Sequence, residues 1–181
     1  FSIDYGFLGD EGQPTSVLLV TKEITTGMMM SMIVPRKGVG ARDEEWIHRR
    51  LAQFINGFGF KKVLLRSDNE NAILALRKRI AADCTAQVLE EDAIKGESQA
   101  NGLAEIGVRI VEGLRTLIID AETKTRAKIH DSSVVMAWLA EHACTLYNRC
   151  TVLPDGRTSW QKAYGKAASL SLVPFGEKVL W

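Results

Sequence analysis

Three acidic residues, Asp4, Asp68 and Glu105, occupy positions from which they could surround a divalent metal ion. Carboxylates brought close together repel one another, so a folded protein that gathers them needs a cation to offset their charge. Mg²⁺ prefers oxygen ligands and is often held by one or two carboxylates together with substrate phosphate. Two such ions roughly 3.5–4 Å apart can activate an attacking oxygen and stabilise a leaving one in phosphodiester displacement. These residue types therefore point to metal-dependent chemistry at phosphorus.

No other arrangement of reactive side chains competes with these carboxylates. The histidines His48, His130 and His142 lie in predicted helices or at a helix start, without an evident catalytic partner. Three cysteines without a CxxC pair disfavour a disulfide framework and fit a reducing, intracellular setting. The spacing of His142, Cys144 and Cys150 is not that of a structural zinc site. The sequence also lacks a Walker-type glycine motif that would cradle phosphate.

The hydrophobic pattern indicates which elements would position the carboxylates. Strands are predicted at 1–8, 16–21, 28–34, 61–66 and 85–89, and helices at 43–58, 70–82, 103 to a break near 123–128, 134–149 and 160–164, before a strand-like end at 177–180. Asp4 lies in the middle of the first strand, where an aspartate is unfavourable unless it is exposed or serves a purpose. Asp68 follows the fourth strand directly. The helix at 134–149 is expected to bury Trp138 and Leu139.

Glu105 belongs to a long amphipathic helix. Its apolar residues recur at helical spacing on one face and are Leu103, Ile106, Ile110, Val111, Leu114 and Leu117. Glu105 lies on the opposite side, in a stripe with Asn101 and Arg109. The Asn101-Gly102 pair and the acidic loop 90–100 are expected to precede the helix as a non-helical segment. Taken alone, Glu105 is better explained as a solvated residue favoured by the positive end of the helix dipole, and only the rest of the chain supports a metal-binding role.

The order of the predicted elements indicates an α/β fold. Three strands joined by short turns predict an antiparallel meander, and the alternation of helices and strands that follows extends it to a five-stranded mixed sheet flanked by helices. The first strand is expected to be central, with the fourth beside it. Strand ends near a switch in topology collect functional groups in sheets of this kind. Asp4 and Asp68 are therefore expected to lie close together.

Composition limits the alternatives. The chain has 181 residues, 46% of them hydrophobic, and a formal net charge of +1. No apolar run approaches the roughly 20 residues that span a bilayer, so no membrane partner is expected. Between Arg36 and Arg66 there are eight basic and three acidic residues. This excess could neutralise phosphates or simply form a solvated surface. The chain opens on Phe1 within a predicted strand, as expected of a piece of a longer polypeptide.

Several short strings carry a resemblance to a known family. They are Ile3-Asp4, RSDNENAI at 66–73, SQANGLAE at 98–105, LYNR at 146–149, TSWQKAYGK at 158–166 and PFGEKVL at 174–180. Between Asp68 and Glu105 lie 36 residues, which is similar to the spacing in the family's acidic signature. In this order and spacing, the sequence resembles the integrase catalytic core of long-terminal-repeat retroelements, especially copia-type retrotransposons.

The resemblance implies a ribonuclease-H-like fold that binds two Mg²⁺ or Mn²⁺ ions at Asp4, Asp68 and Glu105. It implies a polynucleotidyl transferase that processes the 3′ ends of element DNA and joins them to target DNA, as a homo-oligomer and in the nucleus. Residues 1–150 would be the catalytic core and 151–181 its C-terminal extension, within a polyprotein. Candidates for DNA contact are Asn101 and Arg109, and more weakly Lys61, Lys62 and Arg66.

The sequence also departs from the family pattern. Related elements commonly have Arg after the catalytic Glu, where Ile106 stands here, and the segment Lys95-Gly96-Glu97 lacks the usual proline. Acidic residues near the expected DNA path oppose polyanion binding, namely Glu90, Glu91, Asp92 and Glu97. The zinc-binding N-terminal and DNA-binding C-terminal regions of such enzymes are absent from this chain. The alternatives are a catalytically inert, nucleic-acid-binding remnant and a related transposase or nuclease.

Overall fold

The computed structural model describes residues 1–8, 16–38, 45–92, 98–130 and 133–169. Within these ranges the side chains of residues 8, 98–109, 111 and 112 are not described. The strands are β1 (Ser2–Leu8), β2 (Ser16–Lys22), β3 (Met29–Val34), β4 (Lys62–Ser67) and β5 (Gln87–Asp92). The helices are α1 (Glu45–Asn56), α2 (Asn71–Asp83), α3 (Ser98–Thr125), α4 (Val135–Cys150) and α5 (Ser159–Tyr164). The strand-like end expected at 177–180 lies outside the described residues.

The five strands form one mixed sheet in the order β3-β2-β1-β4-β5. The first three strands pair antiparallel as a meander, whereas β1 pairs parallel with β4 and β4 pairs parallel with β5. The first strand is therefore central and the fourth lies beside it. This confirms the predicted five-stranded mixed sheet with flanking helices.

Each face of the sheet is covered by its own pair of helices. On one face the buried side chains of α1 and α2 pack with Ile3, Leu19 and Leu65. On the other face α3 and α4 pack with Leu18 and Val20. Because side chains alternate along a strand, Ile3 and Asp4 point to opposite faces. Val20 pairs with Asp4, so Asp4 belongs to the face that α3 and α4 cover.

Three expectations about the elements were wrong. β5 continues to Asp92, because Glu90 to Asp92 pair with β4 and do not form a loop. α3 begins at Ser98, so Asn101 and Gly102 are helical; one internal glycine costs only about 1 kcal/mol, which a 28-residue helix can absorb. Trp138 is 73% exposed, because α4 turns Met136, Leu139 and Ala140 toward the sheet.

In the five described stretches of the chain, no helix is both long enough and apolar enough to cross a membrane.

Candidate active site

The parallel pairing of β1 with β4 brings Asp4 and Asp68 to neighbouring positions. Ser2 pairs with Arg66, and the Arg66 amide donates a hydrogen bond of 2.9 Å to the Phe1 carbonyl. Asp4 lies two residues after Ser2, and Asp68 lies two residues after Arg66, in the same direction along the sheet. Neighbouring strands are about 4.8 Å apart, so this register places the two carboxylates on adjacent backbones at the point where β4 ends.

Asp4 is a half-buried carboxylate within the sheet. The Tyr5 amide donates a hydrogen bond of 2.8 Å to its Oδ1 atom. Burial raises the pKa of Asp4, and the negative charges of Asp68 and Glu70 raise it as well. The Tyr5 amide and the Lys37 ammonium lower the pKa but do not outweigh these effects. The site therefore concentrates negative charge that a bound cation would stabilise.

Asp68 lies in the short turn between β4 and α2. Its side chain is exposed, and its Oδ1 atom accepts a hydrogen bond of 3.3 Å from the Glu70 amide. Aspartate commonly makes this bond to the backbone two residues on, which closes a local turn. The Ser67 hydroxyl donates to the Asp68 carbonyl at 3.0 Å. These contacts hold Asp68 at the end of the strand, before α2 begins at Asn71.

Glu105, the third predicted carboxylate, lies within α3. That helix packs against β1, the strand that carries Asp4. The side chain of Glu105 is outside the described residues, as are those of Asn101 and Arg109. Among the side chains that are described, no three His, Cys, Asp or Glu residues form a group able to hold a metal ion. The completed three-carboxylate site therefore stays a prediction.

The other candidates for DNA contact occupy different places on β4. Lys61 directly precedes β4 and Lys62 begins it; both are exposed, and at roughly 3.3 Å per residue Lys62 lies about 20 Å from Asp68 along the strand. They are therefore not brought together with Asp68. Arg66 lies two residues before Asp68, but its Nε atom donates a hydrogen bond of 2.7 Å to Glu91 on β5. Contact of these residues with DNA stays a prediction.

The acidic end of β5 is paired with buried positive charge. The Arg77 side chain, 7% exposed, donates to Glu90 Oε2 at 2.9 Å, to the Glu91 carbonyl at 2.8 Å and to Asp92 Oδ1 at 2.8 Å. Arg66 pairs with the Glu91 carboxylate. These ion pairs partly neutralise three of the acidic residues that were expected to oppose polyanion binding, and their effect on DNA binding stays a prediction. Glu97 lies outside the described residues.

Sequence reasoning missed a charged pair beside the two aspartates. Lys37 Nζ donates to Glu70 Oε2 at 2.6 Å, and the same ammonium lies 5.6 Å from the centre of the Tyr5 ring and 5.0 Å from that of Phe7. The Tyr5 hydroxyl accepts a hydrogen bond of 2.9 Å from the Gly38 amide. Only the general excess of positive charge around Lys37 hinted at this group in the sequence.

Comparison with known proteins identifies the fold. No family model matches the chain, and no curated protein matches its sequence. The structure is similar to the catalytic core domain of BIV integrase, with a TM-score of 0.60 and 13% identity over 91% of this chain and 92% of that one. It is also similar to a chain of the simian T-cell lymphotropic virus intasome in complex with a PP2A regulatory subunit. There the TM-score is 0.60 and the identity 18%, over 98% of this chain and 58% of that one.

These similarities extend over nearly the whole chain, at identities that establish the fold alone. The five-stranded mixed sheet with flanking helices is the ribonuclease-H-like fold of integrase catalytic cores. The closer relation to copia-type retrotransposons stays a prediction.

Proposed function

We propose that the chain is the catalytic core of a polynucleotidyl transferase that inserts retroelement DNA into target DNA. The observation that carries this proposal is the parallel pairing of β1 with β4, which brings Asp4 and Asp68 together at the switch point of the sheet. The sharing of this fold with integrase catalytic cores supports it. The fold alone hosts many functions, so the argument depends on the carboxylates.

Asp4, Asp68 and Glu105 are the residues that would hold two Mg²⁺ or Mn²⁺ ions. The donor set fits these ions, because hard divalent cations prefer carboxylate oxygens. When bound, the two ions would supply activation of an attacking oxygen and stabilisation of a leaving one. The described aspartates each accept one hydrogen bond from a backbone amide, which fixes their orientation. A carboxylate has about four lone-pair sites, so further acceptor capacity remains on each.

The same residues would serve both steps of integration. In the first step water hydrolyses the ends of the element DNA, and in the second the new 3′-hydroxyl attacks target DNA. Both steps are in-line displacements at phosphorus with different oxygen nucleophiles, so one arrangement of groups suits both. The protein's part is to position the reacting oxygens and the phosphate. The active form would be a homo-oligomer on DNA in the nucleus.

Metal binding and strand transfer by the Asp68→Asn variant test this proposal. Calorimetry with Mg²⁺ or Mn²⁺ at millimolar concentration, in the presence of a short DNA end, should detect binding to the wild type and loss of it in Asp68→Asn. The variant should also lose metal-dependent strand transfer while its melting temperature stays near that of the wild type, because Asp68 is exposed.

Asp120→Asn is the matched control, since the Asp120 side chain is 45% exposed near the C-terminal end of α3 and pairs only with neighbouring Lys124 in the described contacts. It should bind metal and transfer strands like the wild type. Unchanged activity in folded Asp68→Asn would refute the assigned role. Absence of metal binding and transfer in the folded wild type with DNA would favour the inert remnant.

A further inference from the structure

A charged pair on the rim of the carboxylate site joins two separate elements. Lys37 follows β3, whereas Glu70 directly precedes α2 and lies two residues beyond Asp68. Their side chains meet at 2.6 Å and are 29% and 40% exposed, respectively. The pair is therefore formed at the surface, where a large ligand arriving at Asp68 would reach it.

The position of the Lys37 ammonium is defined by more than its ion pair. The ammonium lies over the rings of Tyr5 and Phe7, which attract a cation through their negative faces. The loop backbone is held as well, because the Gly38 amide donates to the Tyr5 hydroxyl. A lysine at the surface usually samples many rotamers, and ordering it costs conformational entropy. The contacts of Lys37 with Glu70, Tyr5 and Phe7 already order its side chain, so a ligand that binds Lys37 does not have to offset this loss of entropy.

The charges around this ammonium are mainly negative. The negative charges of Asp68 and Glu70 act on Asp4, and so does the positive charge of Lys37. A phosphodiester at Asp4 and Asp68 would add another negative charge. A lysine ammonium has three N–H donors, so it can donate to a phosphate oxygen while it keeps one carboxylate partner, although the two anionic partners compete for it.

We propose that Lys37 binds a backbone phosphate of nucleic acid at the carboxylate site, and that Glu70 positions Lys37 and competes with that phosphate. The proposal rests on the proposed function, since it assumes that a phosphodiester comes to Asp4 and Asp68. Lys37 is then a substrate-binding residue. Glu70 is a positioning residue that weakens binding in return for a preformed site.

A purely structural role would have different consequences. An exposed ion pair that only ties the loop to α2 contributes between about 0 and 1 kcal/mol to stability, and loss of either partner then has the same effect. Under the proposal the two partners have opposite effects on nucleic-acid affinity. Removal of the Lys37 charge weakens binding, whereas removal of the Glu70 charge strengthens it.

The experiment measures binding of a fluorescent short DNA duplex by anisotropy, with Mg²⁺ held at the same millimolar concentration for every variant. Lys37→Ala should weaken binding roughly fivefold at low salt and reduce the slope of log affinity against log salt by about one. Lys37→Arg should retain most of the affinity, because it keeps the charge. Glu70→Gln should strengthen binding about threefold, and that gain should shrink in the Lys37→Ala, Glu70→Gln double variant.

The pair formed by Lys124 and Asp120 provides matched controls, because it has similar geometry at 2.8 Å and lies at the far end of α3. Lys124→Ala and Asp120→Asn should both leave affinity near that of the wild type. A Lys37→Ala affinity equal to that of Lys124→Ala, or weaker binding by Glu70→Gln, would overturn the inference while strand transfer still tests the proposed function. A folded wild type that binds no DNA would overturn both.

Discussion

Glu23 is a buried carboxylate whose charge stabilises the turn between β2 and β3. It is 4% exposed and accepts hydrogen bonds from the Thr25 amide at 3.0 Å and from the Thr26 amide and hydroxyl at 2.6 Å. Burial acts to raise the pKa of Glu23, but these hydrogen bonds outweigh it and the net effect lowers the pKa below its usual 4.5. A carboxyl with a lowered pKa in the folded state stabilises the fold above its unfolded-state pKa.

We therefore expect Glu23→Gln to lower the free energy of unfolding by about 1–3 kcal/mol at pH 7, since hydrogen bonds to charged groups are lost. The difference from the wild type should shrink as the pH falls below the ordinary carboxyl range and through the lowered pKa, because the wild-type carboxyl is then protonated. Urea unfolding at a series of pH values measures both quantities. A difference that stays constant with pH would contradict the assigned role.

At this scale the sequence identified the carboxylates but not their neighbours. Asp4 could be singled out because an aspartate inside an apolar strand breaks the pattern, and Asp68 because it follows a strand directly. Lys37 and Glu70 are 33 positions apart and each is ordinary for its place. No periodicity relates two residues on different elements, so only the tertiary structure could reveal their contact with each other.

Arg77 on α2 connects that helix to the last strand of the sheet. Its guanidinium is buried and contacts three consecutive residues at the end of β5 as well as the Ser67 hydroxyl at 3.3 Å. We expect Arg77→Met to lower the free energy of unfolding by about 3–5 kcal/mol, because Glu90 and Asp92 lose their partner in a partly desolvated place. Chemical denaturation measures the loss. Hydrogen exchange should show that residues 90–92 lose protection first.

Arg49→Met is the matched control for this change. Arg49 pairs with Glu45 at 2.7 Å on the exposed side of α1, and such i,i+4 pairs contribute only about 0.3–0.5 kcal/mol. If Arg77→Met were no more damaging than Arg49→Met, the buried contacts of Arg77 would not hold β5 in place.

Element types were more predictable than element ends. Apolar periodicity located all five strands, because a buried strand needs a short apolar run. Periodicity predicted that β5 ends at Leu89, because the acidic residues Glu90 to Asp92 are typical of a loop. The ion pairs that Arg77 and Arg66 make with these residues, which the sequence does not show, stabilise them within the strand. Periodicity also assigned Trp138 to the interior, because an aromatic residue near an apolar stripe cannot be told from one within it when the exact helix rotation is unknown.

The topology of the whole sheet follows from simple rules of chain connection. Short turns require the first three strands to be antiparallel neighbours, and a crossover through α1 lets β4 return parallel to β1. The pairing of β1 with β4, which brings Asp4 close to Asp68, was therefore predictable from element order. The position of the Glu105 side chain was not, because it depends on how α3 is rotated and on the segment before it.

The layer formed by α3 and α4 is attached to edge strand β3 of the sheet through Asn148 of α4. This buried amide accepts a hydrogen bond of 2.9 Å from the Met29 amide and donates one of 2.7 Å to the Met29 carbonyl, so it occupies the backbone groups that start edge strand β3. An unpaired strand edge is costly when it is buried, and each unsatisfied backbone group costs about 1–3 kcal/mol. Asn148→Leu should therefore lower the free energy of unfolding by about 2–5 kcal/mol while it fills the same space.

Urea unfolding of Asn148→Leu, followed both by tryptophan fluorescence and by far-ultraviolet circular dichroism, tests this attachment. If α4 and the sheet unfold together because Asn148 joins them, the two probes should coincide in the wild type and separate in the variant. Asn56→Leu is the control, since Asn56 accepts comparable bonds of 2.9 and 3.0 Å from Thr85 at an exposed place. It should cost no more than about 1 kcal/mol, because water replaces the lost partner. Equal losses in the two variants would mean that burial at the sheet edge does not determine the contribution of Asn148.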